Sequence, residues 1–138
     1  MDKEPAHRQE GSTNLLRDDA GSIFATKVRF GSAEEVDVMK VENGKVKGTG
    51  TPSEGDIHSH VVPDRYMNAQ GRQTVRSDHL SGDRQLATKQ GHTKYVVDLV
   101  KHVVWKISPG GASQKILTGS DYHAYMQRAW EHYFWHRN

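Results

Sequence analysis

Two histidines separated by one residue, His58 and His60, have the spacing in this sequence that best suits metal binding. Side chains alternate along an extended segment, so both imidazoles project to the same side of the backbone and can reach one ion. A carboxylate from Asp83, further along the chain, completes a set of two nitrogens and one oxygen. That set holds a catalytic Zn²⁺ and leaves its fourth position for water. The sequence therefore predicts a metal site made of these three residues.

A β-hairpin is predicted just before the histidines. Asn43 and Gly44 lie between two β-prone runs, 36–41 and 45–49, and both residues accept the positive φ angles of a type I′ turn. After a loop at 51–55, a short strand over 56–62 is expected to carry the histidine pair.

A helix is predicted over 81–90, and it would carry Asp83. Ser81 can cap its N-terminus, and Gly91 suits the left-handed residue that ends a helix. Asp83 then lies in the first turn, where unpaired amide groups carry a partial positive charge that favours a carboxylate. The polar segment 63–77 is long for a connection and predicts either disorder or a functional flap.

The remaining elements are predicted from hydrophobic periodicity. Runs 94–99 and 103–108 are apolar enough to be central strands, whereas 22–30 fits a strand or a short helix equally well. A last helix has a wide apolar face and is expected to help hold the fold together, since burying a large side chain contributes roughly 1.5 to 3 kcal/mol. Its apolar positions are Tyr122, Tyr125, Met126, Ala129, Trp130, Tyr133 and Phe134, with Ser120 or Asp121 as N-cap.

Composition bounds the domain organisation. A chain of 138 residues is long enough for one domain with a core. With 34% hydrophobic residues and a mean hydropathy of −0.82, part of it is expected to be an unfolded tail. Residues 1–21 are assigned to a flexible leader and 22–138 to the folded domain. We expect an α+β fold with a mixed or antiparallel central sheet, flanked by the helix after the metal-binding strand and by the C-terminal aromatic helix.

Charge and cysteine content limit the ligands and partners. The formal net charge of +2 gives no strong field, so nucleic acid is not an expected partner. The chain has no Cys, and any metal must therefore be bound by His and carboxylate side chains. No apolar run is long enough for a membrane span, and no apolar segment near Met1 has the form of a secretory signal.

The order of these motifs resembles the JAMM/MPN-type zinc metalloproteases. It is closest to the bacterial JAB-like domains at the ends of polymorphic and Rhs-type toxins. The resemblance covers about residues 33–110, a little over half of the chain. The matching stretches are Glu34-Glu35, Glu42-Asn43-Gly44-Lys45, His58-Ser59-His60, Leu80-Ser81-Gly82-Asp83 and Tyr95-Val96-Val97 through Ile107-Ser108-Pro109-Gly110.

Two positions depart from the family pattern. Pro63 follows the second histidine after Val61-Val62 rather than directly, and one residue rather than two separates Ser81 from Asp83. The shorter spacing rotates Asp83 relative to Ser81 by about 100° on a helix. Ser77-Asp78 is an alternative pair, and His79 is an alternative metal ligand.

The resemblance implies a cytidine-deaminase-like, JAMM-type fold and a set of roles. Zn²⁺ would be held by His58, His60 and Asp83. Glu35, preferred over its neighbour Glu34, would act as general acid and base, and Ser81 would donate a hydrogen bond to the developing oxyanion. The implied reaction is hydrolysis of a peptide or isopeptide bond, with a protein or peptide as substrate.

The biological setting also follows from the resemblance. It implies the working domain of a bacterial toxin or effector, with an immunity protein as a partner. Such a domain would be cytoplasmic or would be secreted by a dedicated toxin-delivery system, and no membrane partner is expected.

Two other functions fit the sequence. His132 and His136, four residues apart on the last helix with His123 one to two turns earlier, suit a metal-dependent nuclease toxin. The weakly basic charge argues against that function, because phosphate binding usually needs clustered Lys or Arg. A catalytically inactive MPN-type binding module is the other alternative.

Overall fold

The structure is a computed structural model that describes residues 9–32, 36, 38–63, 65–67, 70–75 and 80–136. For residues 66, 74, 75, 130 and 132–136 it describes the backbone alone. The strands are β1 (Gly11–Arg17), β2 (Ile23–Ala25), β3 (Arg29–Phe30), β4 (Val41–Glu42), β5 (Lys45–Val46), β6 (Ser53–His60), β7 (Arg65–Met67), β8 (Gln73–Val75), β9 (Thr93–Asp98), β10 (Val103–Ile107) and β11 (Ser113–Thr118), and the helices are α1 (Ser81–Gln90) and α2 (Gly119–His136).

One mixed sheet organises the described part of the chain. Its strands follow the order β11-β10-β9-β6-β1-β2, and β3 pairs with β1 beyond that path. β6 and β9 run parallel, whereas the other neighbouring strands are antiparallel. A parallel pair needs a crossover connection, and α1 lies within it. The predicted α+β class with a mixed sheet and a single domain is therefore confirmed.

Two small apolar clusters hold the helix and the hairpin against this sheet. Beneath α1, the buried side chains are Leu80, Ala87, Val96 and Ile107, with Trp105 packed at their side. A second cluster, of Leu16, Val41 and Val46 with Met39 beside it, seats the β4–β5 hairpin against β1. Both clusters contain few apolar residues, because buried polar side chains occupy much of the sheet face on which they lie.

The predicted hairpin turn and helix end are both present. Asn43 and Gly44 have φ angles of 50° and 73°, as a type I′ turn requires. The flanking strands have only two residues each, so the longer strands predicted over 36–41 and 45–49 are wrong for the part that the structure describes. Gly91 ends α1 with a φ of 67°, and the Gly44 amide donates to the Gln90 carbonyl at 3.0 Å. The turn therefore lies against the C-terminal end of α1.

The leader assignment over 1–21 is wrong from Gly11 onward. Residues Gly11–Arg17 form β1, an interior strand of the sheet whose buried and half-buried residues alternate. Its inward-facing residues include Ser12 and Asn14, so the strand lacks the apolar alternation that would have revealed it. The folded domain therefore begins well before residue 22. In the segment 22–30 the structure has β2 and β3, and the strand interpretation is confirmed over the short helix.

Several other elements differ from the prediction. The connection 63–77 contains the β7–β8 hairpin, and β11, which is mostly exposed, was not predicted. Helix α1 begins at Ser81, and Leu80 occupies the cap position.

Over its described side chains, the C-terminal helix is less buried than its sequence suggests. α2 contacts β10 and β11, and Tyr122 is buried. Tyr125 is 50% exposed, however, and Ala129 is also exposed. The expectation that the aromatic face is buried is therefore wrong for these two positions. Among the described residues, neither helix has the length and apolar character needed to cross a bilayer.

Candidate metal centre

The two predicted histidine ligands lie near the C-terminal end of β6 on one face of the sheet. Both His58 and His60 are buried, and their ring centroids are 5.2 Å apart. The burial pattern of β6 alternates in this region, so the intervening Ser59 faces the other side. Their Nε2 atoms both meet the carboxylate of Asp83. His58 Nε2 lies 2.9 Å from Oδ1, and His60 Nε2 lies 3.2 Å from Oδ2.

Asp83 lies at the start of α1, which packs on β9 and β10, and β9 is the parallel neighbour of β6. It is the acidic residue of the first turn of α1, as predicted, and its side chain is 14% exposed. Burial alone would raise the pKa of this carboxyl. Hydrogen bonds from His58 and His60, together with their charges, instead hold its pKa well below the usual range. Asp83 is therefore an ionised carboxylate between two imidazoles.

The geometry of this group fits a bound metal ion. One ligand atom from each of His58, His60 and Asp83 can be chosen so that all three lie within 4.8 Å of one another. Four ligands around a tetrahedral Zn²⁺ lie about 3.3 Å apart, given metal–ligand distances near 2.0 to 2.1 Å. Each histidine Nε2 already lies within 3.2 Å of one oxygen of Asp83, at 2.9 Å from Oδ1 for His58 and 3.2 Å from Oδ2 for His60. The three residues could therefore hold a metal ion.

A second carboxylate, Asp56, lies behind His58. It precedes His58 by two residues on β6, so its side chain points to the same face. Asp56 Oδ1 lies 3.4 Å from His58 Nδ1, which is long for a hydrogen bond. Burial lowers the pKa of His58, but hydrogen bonds to Asp56 and Asp83 and the charges of both carboxylates outweigh that effect and raise it to about 9. Without a metal, the His58 ring is therefore an imidazolium.

The other oxygen of Asp56 has two partners on or next to β9. Lys94 Nζ lies 2.5 Å from Asp56 Oδ2, and His92 Nε2 lies 3.0 Å from the same atom. On its far side, His92 Nδ1 lies 2.8 Å from the hydroxyl of Ser53. Asp56, Lys94 and His92 are each at most 2% exposed. These contacts outweigh desolvation and keep the pKa of Asp56 well below its usual range.

Sequence reasoning did not single out this buried network, although part of its signal was present. Asp56, His58 and His60 share the period of two that places them on one strand face, and the same period relates His92 to Lys94. The parallel register that pairs Asp56 with Lys94 joins distant parts of the chain, and no local pattern reveals it.

Glu10 is another buried acid that sequence reasoning missed. The register of β1 against β6 pairs Ser12 with His58, and its continuation by two residues places Glu10 opposite His60. Glu10 is 3% exposed, and β1 alternates so that Glu10 and Ser12 share the face of the histidines. On the other edge of β1, the Glu10 amide donates to the Ser32 carbonyl and the Gly31 amide donates to the Glu10 carbonyl, which continues the β1–β3 ladder to this residue. A buried carboxylate therefore stands on the strand beside the candidate ligands.

Two of the remaining predicted site residues, Ser81 and His123, have side chains that the structure describes, and neither is brought into this group. Ser81 is exposed at the first position of α1. Glu34, Glu35, Ser77, Asp78 and His79 lie outside the described residues, as do the side chains of His132 and His136. His123 lies near the start of α2, and its ring centroid is 4.7 Å from that of His102.

Family models, curated proteins and solved structures all gave no match to this chain. The interpretation of the site therefore depends on its own residues. Those residues are two buried imidazoles, a carboxylate at the start of α1, and two further buried acids, Asp56 and Glu10.

Proposed function

We propose that this chain is a zinc-dependent hydrolase of the JAB-like type that cleaves a peptide or isopeptide bond. The observation that carries the proposal is the convergence of His58, His60 and Asp83 in a buried position. The two ligating elements are a strand end and the first turn of the following helix, in the order that the resemblance implies.

Zinc suits this set of donors better than a harder cation does. Two imidazole nitrogens and one carboxylate oxygen form a common set of protein ligands for catalytic Zn²⁺, whereas Mg²⁺ and Ca²⁺ prefer oxygen ligands throughout. When bound, zinc would supply an acidified water molecule and polarise the scissile carbonyl.

Glu10 is proposed as the general acid and base in place of Glu35. Its carboxylate is buried on the sheet face that carries the histidines, and the register places it beside His60. In this role Glu10 takes a proton from the attacking water and passes it to the leaving amine. Glu10 also precedes the β4–β5 hairpin, so the order of acid, hairpin, histidine pair and helical Asp is kept. The oxyanion role of Ser81 stays a prediction.

Metal content tests the first part of the proposal. The purified protein should contain about one zinc per chain, and it should lose that zinc in His58→Ala and Asp83→Ala variants. His123→Ala provides a matched control, because His123 is exposed and is not part of the ligand group. A wild-type protein that binds no zinc after purification and zinc titration would contradict the proposal.

Hydrolysis is then measured on zinc-loaded protein with fluorogenic peptides and with lysine-linked isopeptide substrates. Cleavage that disappears with a chelator and returns with zinc supports the proposed reaction. Stoichiometric zinc without cleavage of any such substrate would instead favour the inactive binding module. Plasmid degradation that survives His60→Ala but not His132→Ala would favour the nuclease.

The toxin setting is a separate part of the proposal and has its own test. Expression of the chain in a bacterial cytoplasm should slow growth, and His58→Ala should relieve the effect if zinc chemistry causes it. Equal growth with the wild type and the variant would contradict a toxic activity in that compartment. An immunity protein would be the expected partner of the toxic form.

A further inference from the structure

Asp56 is the centre of the buried network next to the candidate metal ligands. One of its oxygens faces His58, and the other receives both Lys94 and His92. A lysine ammonium has only donors, and a carboxylate has only acceptors. Lys94 is therefore the donor and Asp56 Oδ2 the acceptor in their contact. The other oxygen, Oδ1, remains as an acceptor that faces His58.

That acceptor determines which nitrogen of His58 carries a proton. Oδ1 of Asp56 can accept only from Nδ1–H, so a neutral His58 has its lone pair on Nε2. Nε2 is the atom that faces Asp83 and the candidate metal position, 2.9 Å from Asp83 Oδ1. Metal-ligating histidines commonly donate their second ring N–H to such an acceptor, which fixes the tautomer and the ring orientation.

We propose that Asp56 is a positioning residue, locked by Lys94, which holds His58 in the tautomer that presents Nε2 to the metal. This inference depends on the proposed zinc site and adds to it the residues that prepare one ligand. Lys94 also neutralises Asp56, so the carboxylate acts on His58 through hydrogen-bond direction without adding an uncompensated charge beneath the metal.

Ser53, His92 and Asp56 form the same types of contact as a hydrolytic triad, but their placement does not suit that role. Ser53 is only 9% exposed, and its amide donates to Gly44 in the hairpin. A nucleophilic hydroxyl must reach a substrate, and this one lies behind the hairpin. Ser53 and His92 are better explained as the outer members of the network that holds Asp56.

The variant Asp56→Asn separates a positioning role from a merely structural one. The amide has the shape of the carboxylate, but one of its two ends is a donor. Lys94 forces the amide oxygen to face the ammonium, so the NH₂ group turns towards His58 Nδ1. His58 must then accept at Nδ1 and carry its proton on Nε2, which blocks the metal. An exchange of Asp for Asn beside a catalytic histidine can trap the wrong tautomer in this way.

The experiment measures Zn²⁺ affinity by competition with a chromophoric chelator. The wild type is compared with Asp56→Asn and with Asp121→Asn, an exposed residue of α2. We expect a loss of about 10- to 100-fold in affinity for Asp56→Asn and no change for the control. In the double variant Asp56→Asn/Lys94→Met the lysine donor is gone, and His92 can accept from the amide NH₂ at Nε2 while its Nδ1–H donates to the hydroxyl of Ser53, so the amide oxygen can turn towards His58. We expect this second change to recover about tenfold in affinity.

Long-range ¹H–¹⁵N spectra of the zinc-loaded wild type provide a readout that does not depend on any variant. They should show a proton on Nδ1 of His58 and metal on Nε2. The inference is overturned by the opposite assignment, by equal affinity of Asp56→Asn and wild type, or by a double variant that binds zinc no better than Asp56→Asn. If Asp56→Asn does not fold, the wild-type spectra alone decide. A wild type that binds no zinc overturns the proposed function, whereas bound zinc with an unaffected Asp56→Asn overturns only this inference.

Discussion

Gly55 and Thr93 face each other across the parallel pair of β6 and β9 with no room for a side chain between them. A Cβ atom built at Gly55 would collide with the carbonyl oxygen of Thr93. Gly55 also has a φ of +152°, which side-chain-bearing residues rarely adopt. This close approach sets the register that places Asp56 next to Lys94, one residue further along each strand.

Gly55→Ala should therefore destabilise the protein strongly. The collision is with backbone, which cannot move without breaking the ladder, and the φ angle adds strain. We expect a loss of about 3 kcal/mol or more in the free energy of unfolding, measured in urea. Gly110→Ala is the matched control, since a Cβ there meets nothing within 4 Å, and it should change stability little. Equal stability of the two variants would contradict the close approach.

The metal-free protein should lose stability as the pH rises above about 6.5. The pKa of His58 is raised from 6.5 to about 9. Below pH 6.5 both the folded and the unfolded states hold this proton, so its stabilisation is fully present. Between pH 6.5 and about pH 9 the unfolded state releases the proton while the folded state still holds it. The stabilisation, about 3 kcal/mol, is therefore lost by about pH 9. Asp56 and Asp83 have lowered pKa values, so their contributions are lost only below about pH 4.

Thermal unfolding of chelator-treated protein from pH 4 to 10 measures this dependence. The alkaline loss should shrink in zinc-loaded protein, because a bound metal requires the neutral ring of His58 in the folded state. His123→Ala should keep the wild-type profile. If His58→Gln lost stability above pH 6.5 as the wild type does, another group would be responsible for that loss.

Glu10→Gln should abolish most hydrolysis while it leaves zinc bound. Loss of a general acid and base lowers kcat by about 10²- to 10⁴-fold. Glu10 is not part of the ligand group, so zinc content should stay at the wild-type level. Glu54→Gln is the matched control on β6, because Glu54 lies at the surface and pairs with Arg17 at 2.7 Å. A large loss in Glu35→Gln with none in Glu10→Gln would return the role to Glu35.

Lys94→Met should be strongly destabilising although methionine has a similar shape. It leaves Asp56 buried without its closest countercharge, which costs about 3 to 5 kcal/mol in such pairs. Asp56→Ala should cost a similar amount for the reciprocal reason. In the double variant Asp56→Ala/Lys94→Met neither charge is left buried alone. Its loss in the free energy of unfolding, measured in urea, should therefore be much smaller than the sum of the two single losses. Strict additivity would mean that the two residues are not energetically coupled.

The sequence predicted the parts of the site that depend on local periodicity. The spacing of His58 and His60 places both rings on one strand face, and the first turn of the predicted helix supplies Asp83. The Asn43-Gly44 turn, the end of α1 at Gly91 and strands β9 and β10 follow from equally local signals. Each of these needs only a few neighbouring residues to be read correctly.

The missed parts depend on pairing between distant segments. The antiparallel register of β1 and β6, continued by two residues, places Glu10 opposite His60, and the parallel register of β6 and β9 brings Asp56 to Lys94. β1 was also hidden because it presents Ser12 and Asn14 to a polar site, so its buried face does not look hydrophobic. A polar functional face weakens the pattern by which a strand is recognised.

The interior position of β1 determines how the chain can be shortened. A version that begins at Ser22, where composition would place the domain boundary, lacks the strand that pairs with one side of β6. The amide and carbonyl groups of β6 would then form an open edge, which pairs readily with strands of other molecules. Such a shortened chain is therefore expected to self-associate through β6, which would bring the ligand strands of two molecules together in an insoluble aggregate.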